Sequence, residues 1–219
     1  LMIRRPPRST QRASRRQRQM CIRDRSNPGH LYLHGPWRLV DRRGAIHDLH
    51  DFEPSVGIPT RLAAEVRQVT VDAERVVCVE NLTPFYELIR HEPEGLAALY
   101  LGGNPSPACR CLLGCLAETM TDRVPMLVWA DLDCGGLSIL AQLRRLVSPR
   151  FTPFRMDVGT LEAHALWAKP LSPADERRLA RLARHPCLAD MSELIQHMLA
   201  RGLKLEQEAV AAGGLQDRG

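Results

Sequence analysis

Residues 124–136 read VPMLVWADLDCGG, and this stretch decides the fold. An apolar, β-prone run from Val124 to Trp129 ends in two aspartates one residue apart, followed by paired glycines. Successive side chains of a strand point to opposite faces, so Asp131 and Asp133 share one. Two carboxylates on one face repel, and a divalent cation is the usual reason for both to stay ionised. The glycines are expected to let the chain turn sharply into a helix over 137–147. In that helix Leu137, Leu140, Leu143 and Val147 form the buried stripe, opposite Ser138, Gln142 and Arg145.

Working outward, strand and helix patterns alternate from Arg75 onward. VVCVE (76–80) is a strand ending in Glu80, followed by a helix over 84–90; LAALYLGG (96–103) is a strand closed by glycines, followed by a helix over 108–119. FTPFRMD (151–157) reads as a fourth strand ending in Asp157. Such alternation with short loops predicts an α/β domain, a parallel sheet covered by helices. Sites in such sheets form at the carboxyl ends of the strands, where Glu80, Gly102, Asp131, Asp133 and Asp157 are all expected. The chain beyond is a helical extension. Ser172-Pro173 starts one helix, Asp190 with Glu193 reads as the capping-box start of the next, and Gly202 stops it. KLEQE (204–208) follows, and residues 211–219 read as a flexible tail.

Residues 27–74 are punctuated by Pro and Gly and read as the remnant of a preceding domain, with LYL (31–33) and WRLV (37–40) as the strands of a hairpin. HDLHD (47–51) reads as a solvated loop, since no third-ligand geometry is implied.

The formal net charge of +5 belongs to one end of the chain. Residues 1–25 hold nine of the 30 Lys and Arg residues and only one of the 25 acids, leaving the rest slightly acidic. This stretch has no helical or strand period. It fits a basic nucleic-acid arm or a transit peptide. MIRRPPRST and MCIRDRS also resemble translated sequencing-adapter DNA. Residues 1–26 are therefore set aside as a fusion scar, which implies a missing native N-terminus. Seven scattered cysteines without a signal peptide imply reduced thiols and a cytoplasmic protein. Cys109, Cys111 and Cys115 form a CxCx₃C group, a weak zinc signal without a nearby fourth ligand. No apolar run is long enough to span a membrane.

Carboxylates gathered at neighbouring strand ends make an all-oxygen site suited to Mg²⁺ or Mn²⁺, the chemistry of metal-assisted phosphodiester cleavage. Neither a P-loop nor a GxGxxG dinucleotide fingerprint is present. Glu80 after an apolar strand, then Asp131-x-Asp133-x-x-Gly136, resembles the Toprim signature of topoisomerases, primases and certain nucleases. VENLTPF (79–85), WADLDCGGLSILAQLR (129–144), FRMDVGTLEAHALW (154–167) and LKLEQE (203–208) resemble, in order and spacing, the C-terminal domain of the JetD family. JetD is the nuclease subunit of the Wadjet anti-plasmid system and is related to the DNA-cleaving subunit of topoisomerase VI.

The resemblance covers 75–210. It implies a Toprim fold, a divalent metal, a homodimer, and cleavage of double-stranded DNA beside an SMC-like ATPase complex. Carried onto this sequence, Asp131 and Asp133 would bind metal, and Glu80 would bind metal or act as general acid/base. Glu206 and Glu208 could complete the site, with a solvated helix end the favoured reading for Glu208. Asp157 could cap the following turn, and His164 and Lys204 could contact phosphate or lie on the surface. The family's usual glycine and histidine around the DxD are Ala130 and Gly135 here, and its N-terminal arm region is absent. Tyr32, Tyr86 and Tyr100 lack a nucleophile context, which favours hydrolysis by metal-activated water over a phosphotyrosine intermediate. The alternatives are a catalytically silent Toprim scaffold that dimerises and docks DNA or SMC-like subunits, and a topoisomerase VI-like DNA-cleaving subunit.

Overall fold

A computed structural model of the chain describes residues 29–121 and 123–213. Its centre is a six-stranded sheet of order β4-β1-β7-β6-β8-β9. Here β1 is His30–His34, β4 Val56–Pro59, β6 Arg75–Val79, β7 Leu96–Tyr100, β8 Met126–Trp129 and β9 Phe151–Pro153. The four strands from β7 to β9 are mutually parallel. Val76 to Val79 are all fully buried, as a central strand covered on both faces requires. The covering helices are α2 (Leu82–His91), α3 (Pro107–Thr119) and α4 (Cys134–Leu146). The mixed α/β class expected from the alternation is the one observed.

Residues 27–74 behave differently from their expected reading. The hairpin between LYL and WRLV does not form. Instead β1 inserts into the main sheet, antiparallel to both β4 and β7, with Leu33 opposite Leu99. The strand β2 (Trp37–Asp41) belongs to a separate antiparallel sheet with β3 (Ile46–Asp48) and β5 (Val66–Val71). Two features separate the neighbours: Gly35 turns with φ +94°, and the Trp37 indole, wholly buried, donates to the His34 carbonyl. The sheet and core therefore run across the boundary expected at 74/75. A helix α1 (Thr60–Glu65) joins the two sheets and packs on α3.

After β9 the chain forms α5 (Val158–Ala163), then β10 (Lys169–Pro170), α6 (Pro173–Leu182), α7 (Ser192–Arg201), β11 (Leu203–Lys204) and α8 (Gln207–Gly213). Ser172 and Asp175 make the capping box of α6, and Gly202, in the left-handed conformation, ends α7. Asp190 does not cap α7: it holds the Arg144 guanidinium through two bonds, of 2.6 and 2.8 Å. That pair straps the C-terminal helices onto α4. The tail expected from 211 is helical through Gly213, with Val210 and Ala211 buried where α8 packs on α2. The basic stretch 1–26 and residues 214–219 lie outside the described residues. No described helix is long and apolar enough to cross a membrane.

Candidate functional site

Glu80 leaves the end of β6 with its N–H donated to the carbonyl of Trp129 (3.0 Å), the last residue of β8. Its carboxylate then accepts the Asp131 N–H at 3.1 Å. The two acids thus meet through the backbone of parallel neighbouring strands.

A pairing distant in sequence completes the site. Leu132, between the two aspartates, exchanges both backbone hydrogen bonds with Leu205 (2.9 and 3.2 Å) in an isolated antiparallel bridge. Both leucines are buried, so the bridge carries its own apolar contact. It brings residues 206–208 against the DxD. The Gln207 N–H donates to Asp131 Oδ1 at 2.8 Å, and Asn81 Nδ2 donates to the same oxygen at 3.0 Å. The fully buried Gln207 side chain accepts the Asn81 N–H (3.1 Å) and donates to the Trp129 carbonyl (3.1 Å). Asn81 Nδ2 also reaches Glu208 at 3.4 Å.

Asp133 has a second task. As N-cap of α4, its Oδ1 accepts the N–H groups of Gly135 (2.6 Å) and Gly136 (2.9 Å). The helix therefore begins at Cys134, three residues before the position read from the sequence. The glycines are not turn formers; they occupy its first turn. Gly136 is required by close approach, because a Cβ there would stand 2.1 Å from the Asp131 carbonyl oxygen.

The electrostatics are unbalanced. Burial is the main cause that pushes the Glu80 carboxyl up to about 7, and the charges of Asp131, Asp133 and Glu208 add to it against the Asp131 N–H. Burial likewise pushes Asp131 up to about 6, with Asp133, Glu208 and Glu206 adding to it against the Gln207 N–H. Among the described residues no Lys, Arg or His makes an ion pair with Glu80, Asp131, Asp133 or Glu208. One oxygen each of Glu80, Asp131 and Asp133 accepts no hydrogen bond there. This all-carboxylate surplus fits a hard divalent cation in donor type and charge. Among the described residues, however, no group of three or more Asp, Glu, His or Cys side chains stands close enough together to hold a metal ion.

The remaining candidates are dispersed. Glu206 faces away, paired with Lys169 at 2.5 Å with both side chains about half exposed. Glu208, for which the sequence favours a solvated helix end, is the one that reaches the Asn81–Asp131 network. Asp157 lies beyond β9, which ends at Pro153, and caps α5 through the Thr160 N–H (2.7 Å). His164 Nδ1 bonds the Thr160 carbonyl (3.0 Å), and Lys204 pairs with Asp175 (3.0 Å). The Tyr86 hydroxyl bonds Ser55 (3.1 Å), while Tyr100 packs among Tyr32 and Phe85. His47 pairs with Asp41 (3.3 Å). Cys109, Cys111 and Cys115 lie along α3 and belong to no metal-type cluster of described residues. The sequence pattern alone does not single out Asn81 and Gln207 as site residues. The signal for them is their position: each is an amide directly beside a candidate acid.

A curated relative, the Wadjet protein JetD of Bacillus cereus (strain Q1), is 27% identical over 169 residues. The aligned part is 77% of this chain, and the chain spans 41% of that relative's length. The family model described as "Wadjet protein JetD, C-terminal" matches residues 39–218. That match takes in both small-sheet and main-sheet strands and every residue of the carboxylate cluster, and by it the chain belongs to the JetD C-terminal family.

Proposed function

We propose that this chain is the Toprim-type, divalent-metal-dependent DNA endonuclease domain of a JetD-like subunit, working with SMC-like partners and as a homodimer in plasmid defence. One observation carries the reading: Glu80, Asp131, Asp133 and Glu208 converge at the carboxyl ends of parallel strands without a neutralising cation among the described residues. Clustered carboxylates of this kind lower folded-state stability, and a catalytic cation is the strongest physical reason to keep them.

Asp131, Asp133 and Glu80 would hold the ion, with Glu208 at the rim. A bound Mg²⁺ or Mn²⁺ supplies Lewis acidity toward a phosphodiester oxygen and charge neutralisation in an otherwise repulsive site. The chain's own groups do the rest. Asn81 and the Gln207 N–H hold one Asp131 oxygen and leave the other to face the site. Capping α4 fixes Asp133 in the same way through its Oδ1. Glu80, with its carboxyl raised to about 7, can take or give a proton near neutral pH. Tyr86 bonds Ser55 and Tyr100 packs on Tyr32 and Phe85, which favours water over a tyrosine as the nucleophile.

Calorimetric titration of Mn²⁺ into the full chain, beside the Asp131→Asn/Asp133→Asn variant, tests the reading. Saturable binding that the variant loses supports it. Equal binding, or none in a folded wild-type chain, replaces the nuclease with the catalytically silent scaffold.

A further inference from the structure

Helix α6 carries Arg177, Arg178 and Arg181, and Arg184 follows in the turn that ends it; all four are exposed. Helical spacing puts Arg177 and Arg181 on the face opposite the buried Leu179, with Arg184 continuing that line. None of the four makes an ion pair with a described residue. Arg75, Arg90, Arg144, Arg155 and Arg201 each bind a carboxylate, whereas Arg38, Arg42, Arg43, Arg67 and Arg145 are, like these four, exposed and without an ion pair to a described residue. What distinguishes α6 is density: four such guanidiniums within eight residues of one helix and its closing turn, in a body whose acids slightly outnumber its bases.

The helix is also tied to the acid cluster. Its Asp175 carbonyl accepts the Cys134 thiol (3.3 Å), one residue past Asp133, and the Asp175 carboxylate holds Lys204 (3.0 Å), one residue before the Leu205 bridge. Arg178 and Lys204 both act electrostatically on Cys134. The arginine line therefore starts beside the DxD and runs away from it. From Arg177 to Arg184 it covers about 10 Å along the axis, on the order of three base-pair steps.

We infer that this arginine line is a phosphate-backbone track that holds double-stranded DNA across the carboxylate cluster. This rests on the nuclease reading for its ligand. The guanidinium fork suits phosphate oxygens, and a row of such contacts offsets the repulsion that the bare acids exert on a polyanion. Sequence-independent contacts of this kind fit a site whose other groups address only the phosphodiester.

The test measures binding of a fluorescent DNA duplex to the full chain in EDTA, from about 50 to about 200 mM salt. The Arg177→Gln/Arg181→Gln/Arg184→Gln variant is expected to bind about tenfold or more weakly, with a log–log salt slope shallower by about 2 to 3. The triple Arg→Lys variant should recover most of that slope. Arg42→Gln/Arg43→Gln, in the exposed β2–β3 turn, should bind as wild type; the nine arginines of residues 1–25 contribute equally to every variant. Unchanged affinity and slope in the triple Gln variant, or a wild-type chain that binds no duplex, overturns the track. Mn²⁺ binding by the triple Gln variant, measured separately, should equal wild type. A failed track with intact Mn²⁺ binding leaves the nuclease reading standing, whereas lost Mn²⁺ binding in wild type removes that reading itself.

Discussion

Acidic residues at the ends of β6 and β8 and those elsewhere in the fold have opposite surroundings. Asp175 is held down to about 2 by the Ser172 N–H, the Lys204 ammonium and the Ser172 hydroxyl. The Arg144 fork lowers Asp190, and His197 with Arg201 lowers Glu162. Glu92 sits between Arg75 and Arg155. Glu80 and Asp131 move the other way, up to about 7 and about 6, because burial and neighbouring acids outweigh one backbone N–H each. The first group stabilises helix ends and straps elements together. The second group ties the ends of β6 and β8 to each other and to the Gln207 backbone through one oxygen each, and the other oxygen of each is available to a ligand.

The largest expected effect comes from breaking the frame that holds the unpaired acids. Gly136→Ala drives a methyl into the Asp131 carbonyl at 2.1 Å, so it should cost about 3 kcal/mol or more in chemical denaturation. Gly135→Ala meets only the end of the Asp133 carboxylate, at 3.0 Å, and should stay within about 1 kcal/mol of wild type. Gln207→Ala leaves the Asn81 N–H without its partner and removes one of the two donors to the Trp129 carbonyl, which keeps the Glu80 N–H, and should cost about 2 kcal/mol. It should weaken Mn²⁺ binding as well, since Asn81 also orients Asp131.

Titration separates the two groups by sign. Glu80 is protonated in the folded chain and ionised in the unfolded one between its ordinary 4.5 and about 7, so the folded state binds more protons there. Its contribution to stability is lost as pH rises through that window, and Asp131 acts alike between 3.8 and about 6. Metal-free Asp131→Asn should therefore be more stable than wild type at pH 8, by about 1–2 kcal/mol, and Mn²⁺ should flatten the wild-type slope. Asp175 has the opposite sign: its contribution is present above 3.8 and lost as pH falls toward 2. Asp175→Ala should cost about 1 kcal/mol at pH 8 through loss of the capping box.

The smallest effect sharpens the boundary between the groups. Glu206→Gln removes an exposed ion pair and should change stability by less than about 1 kcal/mol. It should also weaken Mn²⁺ binding less than Glu208→Gln does, measured side by side by calorimetry. The reverse order would return Glu206 to the cluster.

Much of this was determined by the sequence alone. The continuous apolar runs VVCV and MLVW are buried, save for the half-buried Leu127, and their ends carry Glu80 and the DxD. Local patterns of this kind read well because strand burial, helix periodicity and the Ser172 and Gly202 caps depend on neighbours a few residues apart. Long-range pairing is different, since no local spacing specifies it. Only the tertiary structure sent LYL and WRLV to separate sheets, gave Asp190 to Arg144, and joined Leu132 to Leu205. That last bridge decided which residues share a site with the DxD, because alternate residues of an extended segment face opposite ways. It set Gln207 into the core against Asp131 and left Glu206 to Lys169 at the surface.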